Sequence, residues 1–433
     1  MHLLKSLGQS TLDIRLLWGS VFLRMASYGL TNQVLTLYLE SLAISPEKIG
    51  IFMTLTLIGD AAISYILTWY ADRIGRRVIM MLGTAMMLAS GLVFALCSNY
   101  VILLTAATLG VISPSGDETG PFKSVEEAVI AHLTPANHMP EIFAFHGLFA
   151  TAGVALGSLL SGLLVDYLNL GQGYPLEKCY RIVFVAYALF GLAKLVLMLQ
   201  LSEKCEVDYI PNAQELEETS EAEDTPLLKK NLSQTTSYYL PRLLAIFMLD
   251  SLGYGFMPSA WIVYYLKKTF EISASGLGVL YFFANAVDAF SSLPSAFLAK
   301  LLGPVMAILG TQAPSAIFVG SVAFTQSLPI VICLLLGYYT TSTMDVVPRQ
   351  VLLASIMPKK DLTKVLGIVN IGKTFARCVG PIFTGKLASH SKLRYGFVIN
   401  GGCVLLADLV LATNFLHLDG QILRAQKVDH MIE

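Results

Sequence analysis

Runs of about 20 predominantly apolar residues recur along this chain, and each is long enough to cross the roughly 30 Å hydrocarbon core of a bilayer as a helix. Six fall near 17–39, 49–71, 77–97, 100–133, 141–168 and 180–201, and six more near 240–266, 276–299, 304–325, 328–357, 364–388 and 394–416. Backbone in lipid has to satisfy its own hydrogen bonds, so twelve such runs predict an all-α integral membrane protein. Composition agrees: of 433 residues 55% are hydrophobic and 14% charged, against roughly a quarter charged in a soluble domain. A net charge of −1 excludes the basic face of a nucleic-acid binder. The first fifteen residues are too polar for a signal-peptide core, so insertion is expected to begin with the first spanning helix.

The sixes are separated by 202–238, where Glu203, Glu206, Asp208, Glu215, Glu217, Glu218, Glu221, Glu223 and Asp224 predict a solvated, disordered linker. The expected organisation is a six-helix bundle over 1–201, the acidic linker, and a second six-helix bundle over 239–433. Fourteen Lys and Arg fall on the side of the termini and eight on the other, which places both termini in the cytoplasm.

The two halves align with each other at nearly constant offsets. At 226, Arg24, Tyr28, Gly29 and Tyr38 fall on Asp250, Tyr254, Gly255 and Tyr264; at 228, Asp60, Ala71 and Gly75 fall on Asp288, Ala299 and Gly303; at 223, Pro135, Gly157 and Gly162 fall on Pro358, Gly380 and Gly385. A parallel repeat of this kind implies two bundles related by an axis along the membrane normal, with a site between them near the midplane.

After the second helix comes Thr68-Trp-Tyr-Ala-Asp72-Arg73-Ile-Gly75-Arg76-Arg77. This resembles the Gly-x-x-x-Asp-Arg-x-Gly-Arg-Arg loop of the major facilitator superfamily, in the place that family has it, with Thr68 in place of the first glycine. The resemblance implies a gating latch formed by Asp72, Arg73, Gly75 and Arg76. In the second half Lys300 replaces the aspartate, so the latch is expected to be asymmetric. The stretch from Gly110 to Phe122 looks like a microbial and fungal branch of the superfamily.

Ionisable groups at membrane depth are costly and mark functional sites. Arg24, Lys123, Lys373 and Arg377 favour a solute with an anionic group; with Tyr28, Asp250 and Tyr254 they form the expected substrate site. Asp60, Glu118, Glu126, Glu127 and Asp288 are the carboxyls expected to take up and release protons. Arg24 and Asp250 occupy repeat-equivalent positions, so a cross-bundle pair between them is geometrically plausible. Lys123–Glu127 and Asp345–Arg349 have i, i+4 spacing and could each close an ion pair on one helix. Lys194 is expected to snorkel, and His146 to be a satisfied helix histidine. Pro114, Gly116, Gly120 and Pro121 are expected to break the fourth helix, and Gly147, Gly153, Gly157 and Gly162 to permit close packing in the fifth.

The expectation is a secondary transporter of a small polar, anionic or zwitterionic solute, coupled to protons. The alternatives are a multidrug/proton antiporter, with Tyr28, Tyr254, Phe282 and Phe283 as an aromatic wall, and a membrane sensor or scaffold without transport. No nucleophile–base pair, phosphate loop, cofactor motif or metal spacing supports enzyme chemistry. The six cysteines read as packing residues. Glu223-Asp-Thr-Pro-Leu227-Leu228 resembles the acidic dileucine signal read by sorting adaptors, which points to a vacuolar, lysosomal or plasma membrane. Asn231-Leu-Ser233 matches a glycosylation acceptor on the wrong side of the membrane for use.

Overall fold

The computed structural model describes residues 10–110, 112, 121–134, 138–206 and 234–432. Glu118, the dileucine residues Glu223, Leu227 and Leu228, and Asn231 lie outside them.

Among the described residues the first half comprises α1 (Leu12–Asn32), α2 (Leu35–Ser41), α3 (Pro46–Ile74), α4 (Arg76–Leu96), α5 (Tyr100–Leu109), α6 (Pro121–Leu133), α7 (Met139–Asp166) and α8 (Leu176–Leu199). The second comprises α9 (Gln234–Phe256), α10 (Ser259–Phe270), α11 (Ala274–Leu302), α12 (Pro304–Ser321), α13 (Leu328–Thr341), α14 (Val346–Ile356), α15 (Lys359–Ser389) and α16 (Tyr395–Ile432). They sort into twelve crossings in two repeated halves.

Three crossings expected to be single helices, the first, seventh and tenth, are each two, α1/α2, α9/α10 and α13/α14; the fourth, expected to be broken, comprises α5 and α6, with Pro114, Gly116 and Gly120 outside the described residues. The glycines and prolines of the fourth run announce a break. The seventh breaks at Pro258, extended at φ −61° and ψ 158°, because a residue without an N–H ends the hydrogen-bond ladder. The last helix runs to Ile432, well beyond the apolar run that ends near 416.

Glycine crossings hold the assembly together, and they follow the repeat. A side chain at Gly157 would collide with the Ala26 carbonyl of α1, and one at Gly380 with Gly255 of α9. The fifth crossing thus packs on the first as the eleventh packs on the seventh. Between bundles, Gly162 meets Gly278 and Ala274 of α11, while Gly385 meets Gly50 and Pro46 of α3. Gly50 and Gly278 stand 228 apart, so both seams are built by equivalent glycines that bring backbones into contact. Gly153 packs against Phe22 and Met25, whereas Gly147 faces open space.

Contacts between bundles gather on the face carrying the loops after α2, α7, α10 and α15, here called the distal face. Glu40 accepts from the Tyr264 hydroxyl at 2.8 Å and pairs with Lys268 at 2.9 Å. Asp166 accepts from the amides of Ala274 (3.2 Å) and Ser275 (2.8 Å), capping α11. Ser389 bonds Glu47 at 3.1 Å. At the opposite, linker face, Tyr65, Ile66, Trp69 and Ile74 of α3 are exposed. The described polar contacts between the bundles are concentrated toward the distal face.

Candidate functional site

Most of the buried charges within the bundles fall into two networks, one in each bundle. In the first, Glu126 is fully buried and accepts from Arg24 at 2.8 Å, Lys194 at 3.0 Å and the Ser20 hydroxyl at 2.8 Å. In the second, Arg349 donates to Asp250 at 2.8 Å and pairs with Asp345, while Gln312 donates to Asp250 at 3.2 Å and Asp345 at 2.9 Å. The Arg349 guanidinium also lies over the Phe247 ring, 5.1 Å from its centroid.

These networks correct two expectations. Arg24 and Asp250 do not pair across the bundles; each finds its partner on a broken helix of its own bundle, α6 or α14. Lys194 does not snorkel, because its ammonium group is 0% exposed and tied to Glu126. The expected Asp345–Arg349 pair is present, whereas Lys123–Glu127 is not among the described ion pairs. His146 is buried within electrostatic reach of Glu126.

Three positions of these networks are also equivalent by the repeat with their charges reversed. Arg24 and Asp250 stand 226 apart, Glu126 and Arg349 223, and Lys194 and Asp408 214. Asp408, on α16, is 5% exposed and within electrostatic reach of Asp250, Arg349 and Asp345. Gln312 and Asp408 escaped the sequence reading; extending the offset of 223 into the fourth and tenth crossings would have found the Glu126–Arg349 equivalence, whereas Lys194 and Asp408 fall outside the offsets noted.

Between the bundles, Tyr28 bonds Ser259 at 3.1 Å, and Ser259 donates to Asn32 at 2.9 Å. Because Ser259 donates to Asn32, Tyr28 is the donor in this chain. The Tyr254 ring lies 6.3 Å from Tyr338, which lies 5.1 Å from Tyr339, and Tyr281 lies 6.0 Å from Tyr339. This tyrosine group forms the roof beneath the distal seal. Phe283 is exposed, and Phe282 stacks edge-on against it.

Lys373 is half-buried on α15, within electrostatic reach of Asp250, Asp345, Arg349 and, from the other bundle, Lys123. Lys123 is exposed near the start of α6. Arg377, half-buried one turn further along, offers its carbonyl to the close approach of Gly255. Asp288 accepts from Thr343 at 2.8 Å; Asp60 is 1% exposed and within reach of Cys378 of the other bundle. Glu127 is half-buried on α6.

At the linker face the motif loop is organised by a residue assigned above to the linker. Glu206 accepts from the amides of Arg76 (2.7 Å) and Arg77 (3.1 Å), capping α4, and sits against Gly75 at φ 109°. Asp13 accepts from the Ser202 amide (2.8 Å) and hydroxyl (2.6 Å), and Cys205 is fully buried. The segment 202–206 is therefore docked rather than free. The second half has the same cap: Asp419 accepts from the amides of Val305 (2.9 Å) and Met306 (2.7 Å) beside Gly303 at φ 87°. The asymmetry expected from Lys300 does not extend to this backbone geometry. Arg73 is exposed and Arg76 half-buried.

This chain is 50% identical over 427 residues to the uncharacterized membrane protein YJR124C of Saccharomyces cerevisiae, covering 95% of each. Its fold is similar to that of a bacterial homologue of the human lysosomal transporter Spinster in an inward-facing, occupied conformation, with TM-score 0.71 at 14% identity over 93% of this chain and 97% of the other. It is also similar to the human organic anion transporter MFSD10 (TETRAN), with TM-score 0.60 at 17% identity over 92% and 98%. The sequence model of the Major Facilitator Superfamily matches residues 17–233 and 243–421, and the chain belongs to that superfamily.

Proposed function

We propose that the protein is a secondary active transporter that moves a small polar solute bearing an anionic group by alternating access, with protons as the coupling ion. The observation that carries this reading is the position of Lys373 and Lys123. The other cations of known partner in the cleft are matched within their bundles, Arg24 and Lys194 by Glu126 and Arg349 by Asp250 and Asp345. Lys373 and Lys123, on different bundles, lie within electrostatic reach of one another, Lys373 also of Asp250 and Asp345, and among the described residues neither makes a hydrogen bond or ion pair. Two converging cations repel unless an anion separates them. A solute held there contacts both bundles, so its release and the rocking of the bundles are linked. The carboxyls Asp60, Glu126, Glu127 and Asp288, with Glu118, are the groups available to exchange protons with the cleft.

On this reading both termini and the linker are cytoplasmic, the distally sealed state is inward-open, and Asp72, Arg73, Gly75 and Arg76 form the latch of the cytoplasmic gate. Glu223, Leu227 and Leu228 would then be accessible to a sorting adaptor and direct the protein to a vacuolar or lysosomal membrane; without that signal the plasma membrane is the destination.

Uptake into proteoliposomes across a panel of metabolites, with and without a pH gradient, tests the reading. Substrate flux driven by the gradient is expected, and Lys373→Ala should abolish it in protein that remains monodisperse. Undiminished uptake by that variant removes the anion site, and no flux of any metabolite removes the transport reading.

A further inference from the structure

Pairing off the charges of the cleft leaves a remainder of both signs. Arg24, Glu126 and Lys194 are in direct contact with a net charge of +1, and Asp250, Asp345 and Arg349 with a net charge of −1 that Lys373 faces at longer range. Asp60, Glu127 and Arg377 have partners of their own, and Asp408 is too deeply buried for a solute to reach. Among the described residues, the cleft cations without a direct hydrogen bond or ion pair are Lys373 and Lys123. On the negative side the remainder is Asp288, whose carboxylate receives one hydrogen bond, from Thr343 at 2.8 Å, and among the described residues has no cationic partner.

Asp288 is half-buried on α11, and its surroundings select for the sign of what approaches it. Tyr338 and Tyr339 lie within its electrostatic reach, with their rings inclined at 63° to one another and Tyr281 inclined at 65° to Tyr339. Aromatic faces are electron-rich, so a wall of phenol rings beside a carboxylate repels anions and attracts an ammonium group. Thr343 leaves the second carboxylate oxygen open to accept from a ligand N–H. The positive remainder lies nearby on the same side of the cleft, since Asp250 is within reach of both Lys373 and Tyr338.

We propose that the solute is a zwitterion of the free amino acid or short peptide type, whose ammonium group sits between Asp288 and the Tyr338–Tyr339 pair while Lys373 holds its carboxylate. This rests on the anion-site reading given above and adds the second pole. Two-point recognition of this kind discriminates against molecules lacking either charge, because each missing charge leaves a desolvated group of the protein without a partner.

The probe is a matched panel of free amino acids and dipeptides, their N-acetyl forms and their carboxamides, measured as competitors and as substrates with the full-length protein in proteoliposomes. The wild type should prefer the zwitterion over each singly charged form by at least about tenfold, the factor that corresponds to 1.4 kcal/mol. Asp288→Asn should erase the preference for the free amine over the N-acetyl form and retain the preference for carboxylate over amide; Lys373→Ala should do the reverse. The wild-type preference needs no variant, so it decides the matter even if a substituted protein fails to fold. N-acetyl forms that bind and move as well as the free amines overturn the ammonium site while leaving the anion site standing. A panel in which no member binds or moves overturns both.

Discussion

Glu126 and Arg349 stand 223 positions apart and occupy equivalent places in the two bundles, one a carboxylate holding two cations, the other a guanidinium holding two carboxylates. Each lies on the second half of a broken crossing, and each ties three crossings of its bundle together through side chains. The first network joins α1, α6 and α8; the second joins α9, α12 and α14. Neither reaches across the seam. The bundles can therefore part without breaking a buried ion pair, but hydrogen bonds between them, among them Thr54 to the Cys378 carbonyl at 2.8 Å and Thr36 to the Ala260 carbonyl at 3.1 Å, have to be exchanged for water.

Removing the shared partner should be expensive. Glu126→Ala leaves Lys194 fully buried with no counter-charge, a change that costs about 3–5 kcal/mol in comparable sites. Thermal unfolding in detergent should show a large loss for Glu126→Ala and a much smaller one for the double variant Glu126→Ala, Lys194→Met, which removes the stranded charge. Equal losses in the two proteins would count against the pairing.

The distal seal depends on backbone contact at Gly385 and Gly162, which have no room for a side chain. Gly385→Leu should disfavour the distally closed state by about 1–3 kcal/mol, the cost of overpacking a tight interface, and leave each bundle intact. A cysteine placed at Ser259 reports on this. It should become reactive toward a membrane-impermeant thiol reagent applied to the distal side, and protection equal to that in the parent would refute the role of the glycine.

Legibility in the sequence followed the physics of each feature. Long apolar runs mark lipid-facing helices because lipid permits little else, so the spans and the repeat were readable. Breaks were readable only where proline and glycine cluster, as in the fourth crossing. In the tenth, Asp345 ends the α13/α14 break with ordinary φ and ψ, and hydropathy carries no mark of it. Equivalent positions identified Arg24 and Asp250 correctly as counterparts, yet equivalence under the repeat does not imply contact. Partner choice depends on which helix lies alongside, and Lys194 and Glu126, 68 residues apart, meet only in three dimensions. Glu206 was misread because composition describes a segment's average, while a single carboxylate at a helix N-terminus is a local event.

The two caps make matched predictions. Glu206→Ala and Asp419→Ala each remove a carboxylate bridging two otherwise unpaired helix amides, and each should cost about 0.5–2 kcal/mol. If the caps only stabilise, flux per folded molecule will be unchanged in both. If the first also sets the pose of Asp72 and Arg73, Glu206→Ala alone should alter flux. Loss of activity from Asp419→Ala at equal expression would show that the second half gates as well.

Cys205 tests the docking of 202–206 directly. Burial, with Asp13 beside it, pushes the thiol up to about 12, whereas a free cysteine titrates near about 8.5. The thiolate is the reactive species, so below its pKa the rate of alkylation rises tenfold per pH unit and above it levels off. An ordinary thiol should level off near pH 9. Cys205, in a variant with the other five cysteines replaced, should begin roughly a thousandfold or more slower at pH 7 and still be climbing at pH 10. Asp13→Asn removes one negative neighbour and weakens the hold on Ser202, so it should lower the thiol pKa and raise the rate at every pH. A rate that levels off near pH 9 in the parent protein would mean the segment is free in solution, and with it that Glu206 does not cap α4.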